Sequence, residues 1–203
     1  DEQIGWRILG TALGYGFGFL AVAKVHQTIG KRLAIVWSAV GLSIAWSAAV
    51  TLRLFDLAPE NTTWALLVFV VFFGTISSTF GAILNISVMS ALADIVDEHE
   101  LNTGRRQEGV FYSARTFFAK LTNSIGLVIA GIALDFIEFP RGKEAGEIDP
   151  EKIYALGLLD GPFAMVWGLI AAAIYAGYKL DERKHSQIRA QLAERNSRLN
   201  QSS

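Results

Sequence analysis

The sequence predicts an all-α membrane protein, a polytopic transmembrane helix bundle of five spans. Three observations carry that prediction. Apolar residues make up 52% of the 203 and charged residues only 18%, against about 25% charged in typical soluble domains. The charges crowd into short patches. Between the patches lie five runs, nearly free of charge, that approach the roughly 20 residues a helix needs to cross a bilayer core about 30 Å thick.

The first run, Ile8–Ala23, is uncharged and ends at Lys24. Gly10, Gly14 and Gly18 recur every fourth residue on one helix face, where they allow another backbone to come close. That spacing serves ordinary helix packing and sliding interfaces alike. The second run is Leu33–Leu52. The third, Asn61–Ala93, is 33 residues long. A helix of that length is about 50 Å, so it either tilts strongly or continues beyond the membrane. Ser77, Gly81, Asn85 and Met89 share a face in its second half. Hydroxyls there can bond back to their own helix, whereas Asn85 is costlier to bury and calls for a protein or water-filled surrounding.

The fourth run, Gly109–Leu134, contains Arg115 and Lys120. Arg115 is early enough to snorkel to the interface. Lys120 lies about 15 Å in from Val110, near the midplane. A charge at that depth costs about 2.5–3.5 kcal/mol on insertion scales and marks a functional position by default. Tyr112, Thr116, Lys120 and Asn123 make one polar stripe suited to lining a cavity. The plainer reading is a lysine paired structurally with an acid. None of the five runs as drawn holds an acid, so the partner is expected in helices absent from this chain. The fifth run is Gly161–Tyr178.

Two longer connections remain, Glu138–Ile153 and Asp94–Glu108. The second holds Asp94, Asp97, Glu98, Glu100 and Glu108 with Arg105 and Arg106 around Gly104, a helix-stop signal. It is either a solvated loop or an ion-pair latch at the ends of helices, formed by Asp94, Asp97, Glu100, Arg105, Arg106 and Glu108. Residues 1–180 are thus expected to form the helix bundle and 181–203 a polar tail, helix-like around Ile188 and Leu192.

Lys and Arg number eleven in the connections on the C-terminal side and five on the other. The C-terminus is therefore expected in the cytoplasm. With five spans the N-terminus falls outside. A chain that starts so, on Asp1, reads as a bundle lacking its earlier helices. A net charge of −1 argues against nucleic-acid binding. With no cysteine there is no thiolate site or disulfide. His99-Glu100 lacks the second histidine of a zincin motif, and no metal or cofactor is expected. Membrane enzymes are disfavoured because no span carries a Ser–His pair or paired carboxylates. A non-transporting membrane sensor or scaffold remains the alternative.

The run Asp94, Asp97, Glu100, Thr103, Gly104, Arg106, Glu108, Gly109, followed by a helix with Lys120 at mid-span, resembles the glycoside–pentoside–hexuronide:cation symporters. These are melibiose-permease-like members of the major facilitator superfamily. The Gly30-Lys31-Arg32 turn and the tail from Leu180 through Ile188 and Leu192 to Arg195 resemble the same family. The resemblance covers almost the whole chain, as helices eight to twelve of twelve. It implies uptake of a sugar or related solute by alternating access, coupled to Na+ or H+, in the cell inner (plasma) membrane. It assigns the family's lysine to Lys120 and a neighbouring polar position to Thr116, and leaves the cation-binding carboxylates to the absent half. Asn85 stands where a sugar-stacking tryptophan is expected, which keeps a glycoside, a uronide and a lipid-like solute open.

Overall fold

The computed structural model describes residues 2–61, 63–140, 142 and 145–177, and in the tail 187, 188, 190–192, 194 and 197. Helix α1 (Glu2–Leu54) is broken at Gly30, whose φ of 78° and ψ of 162° lie outside the helical region. That backbone is open to glycine and strained for other residues, so the chain folds back there into two arms, residues 2–29 and 31–54. Four helices are long and apolar enough to cross a membrane. The two arms of the first bring the crossings to five, in keeping with the sequence. No strand occurs among the described residues.

The first arm runs alongside α2 (Trp64–Thr103) in the same direction. A Cβ at Gly10 would come within 2.8 Å of Val71, and one at Gly18 within 2.5 Å of Ala82. A Cβ at Gly14 would run into the Thr75 carbonyl and Ser78. The i,i+4 glycines therefore seat one backbone directly against another, which is their packing reading. Gly16, on the opposite side, faces open space. The second arm runs back along α2, with Gly41 on the Phe80 ring, and then along the last span. Gly157 meets Leu54, Gly161 meets Val50 and Gly168 meets Ser43.

Capping explains the ends. The Thr63 hydroxyl accepts from the Leu66 N–H at 3.2 Å and starts α2. Gly104, at φ 72°, closes α2 with its N–H on the Glu100 carbonyl, the left-handed C-terminal stop that favours glycine. Helix α2 is thus 40 residues long, about 60 Å. Its last turns carry Asp94, Asp97, Glu98 and Glu100, and the predicted Asp94–Glu108 connection shrinks to residues 104–107. Helix α3 (Glu108–Phe136) follows.

A second boundary is corrected at the last span. Asp149 caps α4 (Pro150–Leu158) by accepting from the Glu151 N–H, with Pro150 in the first turn where its missing N–H costs nothing. A π turn, Leu159–Phe163, joins it to α5 (Ala164–Ala176). The helix therefore begins at Pro150 and not at Gly161, and Asp160 lies inside a membrane-capable segment. The expectation that no span holds an acid fails there. Asp160-Gly161-Pro162 reads as turn chemistry, but packing against Val50 keeps it helical.

One end of the bundle holds the Gly30 turn, the 104–107 corner and the end of α5. Arg32 reaches across to donate to the Ala176 carbonyl. The other end holds the 55–63 and 137–149 loops. Arg53 donates to the Pro59 carbonyl at 2.8 Å and to Asn61 Oδ1 at 2.9 Å, fixing the first loop. Lys152 Nζ donates to the Ile137 carbonyl at 2.7 Å in the second. In the tail, Ile188 and Leu192 are buried. Tyr178, the 180/181 boundary, Arg141, Lys143 and most tail charges lie outside the described residues.

Candidate functional site

The polar stripe lies on α3, a helix with no buried residue. It touches α2 at its start, where the Phe111 ring stands edge-on to His99 at 5.2 Å. It meets α4 at its end through Lys152. Between those anchors Thr116, Lys120 and Asn123 are exposed and Tyr112 is half-buried. The Thr116 hydroxyl donates back to the Tyr112 carbonyl at 2.9 Å, and Ser124 does the same to Lys120. With those hydroxyls bonded to the backbone, Lys120 is the charged donor on this face, beside the neutral Asn123 amide and Tyr112 phenol. It stands about 18 Å along the helix from Glu108 and has no ionic partner among the described residues. Asn85 is exposed on α2. No hydrogen bond joins it to Lys120 among the described residues.

The acidic-basic segment is brought together, in part otherwise than expected. Arg106 takes three carboxylates: Glu100 at 3.0 Å, Glu108 at 3.3 Å and Asp97 at 3.7 Å. Hydrogen bonds to Glu108 and then Glu100 hold its pKa above the usual arginine range. Glu100 is nearly buried, so Arg106 supplies the positive charge that its carboxylate needs. Arg105 is exposed and engages through its backbone N–H, on the Thr103 hydroxyl. Asp94 turns away to Lys31, 2.6 Å distant on the other side of the Gly30 turn. The cluster is therefore two groups, one closing the 104–107 corner and one tying the α1 turn to α2.

Three features have no counterpart in the sequence reading. His26 Nε2 and the fully buried Ser87 hydroxyl meet at 2.7 Å between the first arm and α2. Lys31 and Arg32 act on different helices, although the Gly30-Lys31-Arg32 turn itself stands out in the sequence. The third is a cavity of about 680 Å³ between the two arms, α2 and α4, with Arg7, Arg53 and Asp160 on its wall. Its signal was the Asp160 carboxylate, hidden by the turn-like residues beside it.

Comparison with known proteins agrees with the helical pattern. Residues 3–182 match the family model described as MFS/sugar transport protein. A curated relative from Synechocystis sp., named an uncharacterized symporter, is 34% identical over 113 residues, which is 52% of this chain. The aligned region is 20% of that relative's length, so the chain spans only a part of it. No solved structure matches the chain significantly.

Proposed function

The chain belongs to the family of MFS/sugar transport proteins, and from that premise we propose that it is the C-terminal part of a secondary active transporter. It couples Na+ or H+ movement to uptake of a sugar or related solute by alternating access and carries out no catalysis. Residues 1–180 are the membrane bundle and 181–203 a tail on the cytoplasmic side of the cell inner membrane. The rest of the transport pathway belongs to helices that precede these five. The symporter name of the Synechocystis relative supports the coupling.

One observation carries the reading: Lys120 stands at mid-span on a helix that buries nothing. A helix of this composition, anchored only at its two ends, leaves a face for other helices or for a water-filled path. An ammonium on that face is costly without an anion. Lys120 pairs with carboxylates of the preceding helices when the coupling cation is absent and yields them when it binds. Cation occupancy is thereby linked to helix arrangement, with Thr116, Tyr112, Asn123 and Asn85 as neutral groups along the path. Asp160 does not serve as that anion, because it faces a cavity that α3 does not line.

At the cytoplasmic end, Asp97, Glu100 and Glu108 on Arg106, with Asp94 on Lys31, form the gate. Ion pairs bias inward-open against outward-open states only where the pairs differ between those states. The test is Lys120→Gln in the whole protein, with membrane abundance and solute accumulation measured with and without a sodium or pH gradient. Normal abundance with lost cation-driven accumulation is expected. Normal abundance with normal accumulation rejects the reading.

A further inference from the structure

The cavity between the arms of α1, α2 and α4 differs in chemistry from the Lys120 face. Arg7 and Arg53 each lie 23 residues from Gly30, one on each arm. They therefore stand at the same level, about 35 Å from the turn, where a membrane interface is expected. Both are exposed and both line the cavity. Arg53 has given two N–H groups to Pro59 and Asn61 and keeps three of its five. Below the arginines the walls are apolar, with Phe69, Val70, Phe73 and Leu156 among them. Ser77, also on the wall, gives its hydroxyl hydrogen to the Phe73 carbonyl at 2.8 Å. Two cations over an apolar slot match an ligand with an anionic head and a hydrocarbon body.

We propose that this cavity binds an anionic phospholipid of the surrounding bilayer, its phosphate between Arg7 and Arg53 and an acyl chain along the Phe69–Phe73 wall. Charge complementarity selects that occupant. A zwitterionic lipid gains less from two guanidinium groups, and a sugar, though it could use Tyr15, Trp46, Ser78 and Asp160 on the same wall, would not neutralise the two arginines. The one acid on the wall, Asp160, is opposed to this ligand. Gly157 meets Leu54 and Gly161 meets Val50, which puts Asp160 about 3 Å deeper than Arg53. Its carboxylate competes with phosphate for the arginines. The direction of its effect therefore separates a lipid site from a site for a polyhydroxylated solute, which would use Asp160 as an acceptor.

Trp46 lines the cavity and serves as the probe. The whole protein is placed in phosphatidylcholine vesicles containing brominated phosphatidylglycerol, and quenching is assigned to Trp46 by comparison with Trp46→Phe. Quenching by brominated phosphatidylglycerol should exceed that by brominated phosphatidylcholine at equal mole fraction. Arg7→Gln and Arg53→Gln should each weaken the preference about fivefold, and Asp160→Asn should strengthen it by a similar factor. A gain of binding in Asp160→Asn cannot come from misfolding. Equal quenching by the two lipids overturns the proposal, as does weaker binding in Asp160→Asn. Loss of the preference on adding millimolar inorganic phosphate overturns it too, since a lipid held by its chain is not displaced by the free anion.

Discussion

The first arm of α1 and helix α3 are both apolar enough to cross a membrane, yet they meet their surroundings in opposite ways. On the first arm Gly10, Gly14 and Gly18 leave no space for a side chain, and α2 fills the gap with Thr75, Ser78 and Ala82. The Thr75 hydroxyl lies between its own helix's Val71 carbonyl at 2.8 Å and the Gly10 carbonyl across the interface at 3.0 Å, sharing one hydrogen between them. Helix α3 has its three glycines, Gly109, Gly126 and Gly131, in open space. Its large side chains, Phe117, Phe118, Leu127 and Ile132, are all exposed. In a membrane, helices associate through close packing and not through escape from water. Small residues on a matched face therefore make a contact permanent, and bulky residues around one lysine leave a helix free to pair elsewhere. The contrast separates a packed interface from an exposed face.

Lys120→Gln sharpens the contrast most. It should leave abundance unchanged and cut cation-driven accumulation by about tenfold or more, in the range of coupling free energies between linked sites. Loss of the protein from the membrane instead would mean that α3 is as structural as α1. Gly14→Leu comes next and acts on the scaffold. Overpacking costs about 1–3 kcal/mol, read as lower thermal stability of the detergent-solubilised protein. Gly16→Leu, on the open side of the same arm, should stay within about 0.5 kcal/mol. Equal losses for the two would break the comparison.

A smaller effect is expected from Ser87→Ala, which removes the hydroxyl that meets His26 between the first arm and α2. Interhelical hydrogen bonds in membranes average about 0.6 kcal/mol, so the same denaturation assay should register a modest drop. For Arg106→Ala stability is not the readout, since the guanidinium is half-exposed and screened by salt while the nearly buried Glu100 loses a positive charge. Its signature is a shifted distribution of distances between the helix ends at the Gly30 turn and the 104–107 corner, measured by double electron–electron resonance. An unchanged distribution would leave Arg106 as a corner fastening only. Because the Arg106 pKa is raised, its contribution is fully present below the ordinary arginine pKa and is lost only above the raised one. The distribution in the unsubstituted protein should therefore not respond to deprotonation of Arg106 from neutral to moderately alkaline pH.

Local patterns accounted for much of this molecule. The five apolar runs mark the five crossings, Gly104 marks the end of α2, and the glycine spacing marks the packed face. Each depends on residues a few positions apart, so hydropathy and helical period suffice to find it. The polar stripe of Tyr112, Thr116, Lys120 and Asn123 is legible for the same reason. The tertiary structure decided the pairings. Asp94 and Lys31 stand 63 residues apart in the chain, and Asp94 chose Lys31 over the arginines nearby because the Gly30 hairpin sets the register of α1 against α2. Asp160 reads as part of a turn until Val50 packs on Gly161 and carries the helix through it. Arg7 and Arg53 share one cavity because they stand equally far from the Gly30 turn on the two arms. A register between helices distant in sequence is fixed by side-chain volumes on both partners at once, and no single stretch of sequence contains that information.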